Sequence, residues 1–99
     1  MSELKDIWRD QQNAQFPVSC LPLSHHGLKL VKIDATVGAI LTASLRTDGE
    51  VRPIDAEKRR KLEGLLELLQ GVQREIPLEP EAELYFRRLQ ALSMAVLKG

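Results

Sequence analysis

Cysteine is nearly absent from this 99-residue chain: Cys20 stands alone. That excludes an intramolecular disulfide and fits a reducing compartment. Aromatic residues are scarce too, with one Trp, one Tyr and two Phe, which is poor material for a base-stacking platform. Neither sign of charge prevails, because 14 basic residues balance 14 acidic ones. A field that would draw the protein to nucleic acid or an anionic membrane is therefore missing. No apolar run approaches the ~20 residues that cross a bilayer, and Met1-Ser2-Glu3-Leu4-Lys5-Asp6 lacks the basic start and apolar stretch of a secretory leader. A cytoplasmic location with no membrane partner is expected.

The glycines are equally uninformative about phosphate. Gly27, Gly38 and Gly49 stand too far apart to form a phosphate loop, and no lysine follows one of them in the required position. Thr47-Asp48-Gly49-Glu50 lacks the alternating acids and closing glutamate of a calcium loop.

What is there suits one domain with one core: 43% of residues are hydrophobic and 28% charged. A formal charge of zero also weakens repulsion between copies and eases self-association.

Along the chain, Ser2 can cap a first helix over about residues 2–15, with Leu4, Ile7, Trp8, Gln11 and Ala14 as its apolar stripe before Pro17. Residues 16–27 read as a loop rich in Pro, Ser and Gly. Phe16, Val18, Leu21 and Leu23 should lay that loop on the core. Residues 28–53 satisfy two periods. As a helix from about Asp34 to Thr47, Ile33, Val37, Ile40, Leu41, Ser44 and Leu45 share a face, Asp34 is the N-cap and Gly49 the stop. As strands, the alternation around Leu28 to Ile33 and the Asp48-Gly49 pair give a β-hairpin. Ala39, Ala43 and the small Gly38 and Ser44 favour the helix.

The last part of the chain is less equivocal. Asp55 can cap a helix over about residues 55–75 in which Leu62, Leu65, Leu66, Leu69, Val72 and Ile76 form one stripe, stopped by Pro77. A second helix over about residues 79–98 carries Glu79, Glu81 and Glu83 at its start and Lys98 at its end, in accord with the macrodipole. The short connection makes the two antiparallel neighbours. The fold expected is mainly α, a small helical domain ending in a long helical hairpin; the alternative is α+β, with the β-hairpin packed on those helices.

Both long helices carry more apolar surface than one seam needs. Gly64, Leu68 and Gly71 share a face of the first, and Leu84, Ala91 and Ala95 a second patch on the other. These six residues are the candidate interface, either with a second copy or with a neighbouring segment of the same chain. An all-round apolar last helix is either the central helix of the domain or a dimer surface.

Chemistry is thin. Cys20, His25 and His26 are zinc ligands in type, but adjacent histidines seldom both reach one ion and no C-x-x-C accompanies them. Ser24 beside His25 is no catalytic pair, since nucleophile and base must face each other across a fold. No catalytic residue and no cofactor are expected. The run Lys58, Arg59, Arg60 and Lys61, with Arg52, could hold an anion or nucleic acid, although Asp55, Glu57, Glu63 and Glu67 nearly cancel it. The reading that results is a protein-interaction or regulatory module that self-associates, with anion binding as the alternative.

Overall fold

The structure, a computed structural model, describes residues 3–98; Ser2 and its expected cap lie outside them. Helix α3 (Ala56–Glu75) begins where Asp55 accepts a hydrogen bond from the Lys58 backbone N–H at 2.8 Å. This pairs one of the donors that every helix start leaves open. Its stripe of Leu62, Leu65, Leu69 and Val72 is buried. Helix α4 (Pro80–Lys98) follows after four residues, opened by a proline whose missing N–H would have had no partner there anyway.

Three groups along the hairpin seam tie α3 to α4. Arg59 donates from Nη1 to the Leu97 carbonyl at 2.5 Å, Gln73 donates to the Glu83 carbonyl at 3.4 Å, and the Gln90 amide donates to Gln73 Oε1. Glu83 and Arg87, one turn apart on α4, pair at 2.5 Å on the surface.

Helix α1 (Glu3–Asn13) ends two residues short of the expected boundary and buries Trp8 and Gln11. The following loop lies on the core only in part. Phe16 meets Tyr85 and Phe86 edge to face, with ring centroids 5.7 and 6.0 Å away. Val18 and Leu21, expected inward, are 76% and 49% exposed, because the 3-10 turn Val18–Cys20 turns Cys20 in instead.

The loop also ends earlier than residue 27. Strands β1 (Ser24–His25) and β2 (Leu28–Lys29) pair antiparallel around His26-Gly27. Helix α2 (Leu30–Ser44) follows at once, so the middle segment is helical and the β-hairpin spanning residues 28–53 does not form.

That helix starts four residues before the expected Asp34, since Leu30 is fully buried and its N–H reaches the Leu23 carbonyl at 3.0 Å. Leu30, Ile33, Val37, Ile40, Leu41 and Ser44 are its buried positions, and helical spacing alone puts them on one side. Asp34 is consequently an interior residue of α2 and not its cap. Gly49 is no helix stop either. It sits at φ +85° in a turn closed by an isolated Leu45–Val51 bridge, and a Cβ there would lie 2.9 Å from the Lys5 backbone. The Asp48-Gly49 hairpin signal thus survives as one bridge against which α1 docks.

α1, α2 and α3 all pack on α4. α4 is therefore the central helix, which accounts for most of its apolar surface. Among the described residues, no helix is long and apolar enough to cross a membrane.

Removing the α3 cap with Asp55→Ala should lower unfolding free energy by about 1 kcal/mol, whereas Leu69→Ala, at a fully buried position, should cost about 2 to 5 kcal/mol. Urea titrations of the two variants check both the order and the size.

Candidate functional site

Three surface features are built from residues distant in sequence. The first lies on the outer face of α3. Position 71 has no side chain, and the buried ring of His25, carried by β1, takes the space: a Cβ at Gly71 would stand 2.7 Å from His25 Nε2. Glu75, one turn further on, brings Oε2 to 3.3 Å from His25 Nε2 and 3.7 Å from His26 Nε2. The two imidazoles meet edge to face with centroids 4.1 Å apart. Gly64, Leu68 and Gly71 line the same groove as these three residues, together with Glu67 and Arg74.

Consecutive side chains of a flat strand point to opposite faces, so His25 and His26 would ordinarily diverge. The turn prevents this. His26 and Gly27 have φ of +50° and +79°, the two left-handed residues of a tight hairpin in which Asn-Gly is the usual pair. His26 is the one non-glycine residue with positive φ among the described residues. That backbone conformation folds its ring back toward His25.

Sequence reasoning placed His25 and His26 among candidate ligands but missed Glu75. The signal was available, since Glu75 stands four and seven residues after Gly71 and Leu68 and so belongs to the face already singled out. Cys20 does not join the group of converging ligand atoms, which consists of His25, His26 and Glu75. It is fully buried, and burial pushes its thiol up, with a Ser19 hydrogen bond opposing and Glu79 adding to the rise. A thiol kept protonated is a poor ligand or nucleophile.

At Gly71 the structure fits the second of the two expectations for this face: the segment that approaches it belongs to the same chain, and His25 takes the space a side chain would fill. Gly64 has nothing within 4 Å of a built Cβ and is open. Leu68 is half-buried against the core.

The second feature joins α4 to the end of α1. Leu84, 53% exposed, lines a depression with Ala14, Pro17, Glu81 and Arg88. The six interface candidates are therefore split between two surfaces: Leu84 lies in this one, while the three α3 residues lie beside the histidines. Ala91 and Ala95 lie half-buried further along α4.

The third is a partly buried polar cluster. Tyr85 donates its hydroxyl proton to Asp34 Oδ1 at 2.7 Å, linking α4 to α2, and Arg88 Nε donates to Gln11 Oε1 at 2.8 Å, linking α4 to α1. Burial raises the Asp34 carboxyl above its ordinary range, opposed by the Tyr85 bond. Burial and then Asp34 push the Tyr85 phenol up as well. The phenol is the donor and Asp34 Oδ1 the acceptor, and both residues line a depression between α1, α2 and α4.

The basic run is partly taken up by the fold. Arg59 caps the carbonyl end of α4 through Leu97, a place where a cation suits the macrodipole, while Arg52, Lys58, Arg60 and Lys61 remain exposed.

Compared with protein families, with curated proteins and with solved structures, the chain matches none.

Gly64→Ala should stabilise α3 by roughly 0.5 to 1 kcal/mol, because it adds helix propensity in open space; Gly71→Ala should forfeit that gain, because the new methyl group meets His25. Thermal melts of the two variants check the contrast. A pH-dependent expectation concerns Asp34→Asn. Its folded carboxyl binds a proton more readily than the unfolded one, so the parent protein's contribution from Asp34 is greatest in acid and is lost as pH rises toward neutrality. The asparagine variant should accordingly be the more stable at neutral pH, and its advantage should fade as pH falls through the carboxylate range. Denaturation midpoints across that range measure the sign.

Proposed function

We propose that this protein is a non-enzymatic interaction module that acts as a homodimer, with the Leu84 face of α4 as the contact between copies. The observation that carries the reading is the order of residues around that leucine. At about 100° per residue, Glu81, Leu84 and Arg88 fall within about 60° of one another on the helix surface. Glu81 and Arg88 are equally far from the midpoint between Leu84 and Tyr85.

A two-fold interface must be complementary to itself. Two α4 helices laid antiparallel across Leu84 set Glu81 of each copy against Arg88 of the other, with the leucines between them. Ala91 and Ala95 extend the strip with small side chains that allow close approach. The zero formal charge leaves little long-range repulsion to oppose such contact. A cytoplasmic location accords with the single protonated thiol, which needs no oxidising compartment.

Sedimentation equilibrium over a wide concentration range tests the dimer. The parent chain should show a concentration-dependent twofold mass. Leu84→Arg, which sets like charges at the symmetry axis, should give a monomer with unchanged helix content, since that side chain is already half exposed. Glu81→Lys, which leaves the Arg88–Gln11 bond in place, should weaken association. A parent chain that remains a monomer at millimolar concentration would refute the proposal.

A further inference from the structure

The histidine groove lies apart from the Leu84 face. His25, His26 and Glu75 each offer one ligand atom, all within 4.8 Å of one another, and Glu75 Oε2 stands 3.3 and 3.7 Å from Nε2 of His25 and of His26. We propose that these three atoms bind one divalent late transition-metal ion of the zinc class, leaving at least one coordination position open to water or an incoming ligand.

The donor set argues the class. Imidazole nitrogen suits zinc, copper, nickel and ferrous iron, whereas magnesium and calcium prefer oxygen throughout. The spacing agrees. Bonds of about 2.05 Å in a tetrahedral site separate neighbouring ligand atoms by about 3.3 Å. The two nitrogens stand 3.3 and 3.7 Å from the carboxylate oxygen, so those two edges need shifts of a few tenths of an ångström at most, and the ligand atoms of the two histidines are no more than 4.8 Å apart.

Two local choices, each unfavourable in itself, make the convergence. The left-handed turn position of His26 would ordinarily carry asparagine, yet it is what brings adjacent imidazoles to one side. Gly71 weakens the middle of a long helix, yet any side chain there would enter the space between the ligands, 2.7 Å from His25 Nε2 and 3.6 Å from Glu75 Oε2. One side of the site is fixed and the other is open: His25 is 7% exposed, while His26 and Glu75 are 68% and 56% exposed. That openness makes the ion exchangeable and its free position accessible, unlike a closed structural zinc site with four protein ligands.

Isothermal titration of the full chain with zinc chloride tests this, with magnesium chloride as the control. One zinc ion per chain should bind saturably, and magnesium should give no saturable heat. Glu75→Gln and His26→Asn should each weaken zinc binding at least about tenfold, the smaller end of the loss expected when even an outer-shell partner is removed. Both side chains are more than half exposed, so neither change threatens folding. His26→Asn also installs the favoured turn residue, so its melting temperature should equal or exceed that of the parent while its zinc affinity falls. Absence of saturable zinc binding, or zinc affinity unaltered in both variants, would overturn the proposal.

Discussion

The burial of α4 by three other helices is the constraint on which the remaining structure depends. Phe86 and Leu92 are fully buried, with Leu89 and Val96 nearly so, and each contributes about 1.5 to 3 kcal/mol by leaving water. A chain of this size has few elements with which to provide that cover. α1, α2 and α3 must therefore all be placed around one rod, and their outer faces make up the molecular surface. The buried Tyr85–Asp34 bond and the Arg88–Gln11 bond fix how α2 and α1 sit on it. These are polar contacts in a mostly apolar interface, so their contribution lies in choosing one arrangement among several that would bury similar area.

With α3 docked along α4, its opposite face is left to whatever the chain lays over it. The small hairpin β1–β2 does so at Gly71, where the backbone is bare enough to admit an imidazole, and at Glu75 one turn on. The same glycine costs α3 about 1 kcal/mol of helix propensity relative to alanine. That loss is tolerable because the helix is held by its other, leucine-lined side. The groove thus depends on a division of labour within one helix, packing on one face and a glycine-flanked polar cluster on the other.

Much of the architecture was legible without coordinates, and the reason is visible in particular residues. Asp55 caps its own helix through a neighbour three residues away, and Leu62, Leu65, Leu69 and Val72 meet α4 because their spacing repeats the helical period. The middle segment was harder. Leu28 to Ile33 alternates well enough for a strand, and β2 does begin there, but Leu30 is already buried as the first residue of α2. The competing signals were both real, each holding for a few residues. Asp34 had the look of a helix cap because Asp is a good one; its actual partner, Tyr85, is 51 positions away.

Helix content, the antiparallel hairpin and the stripe that each long helix buries were determined by the sequence itself, since caps, prolines and periodic leucines act over a turn or two. Tertiary structure alone decided that α4 is central, that Gly71 faces a histidine, and that His25, His26 and Glu75 converge. Such features require groups tens of residues apart to be held within a few ångströms, and only packing supplies that constraint.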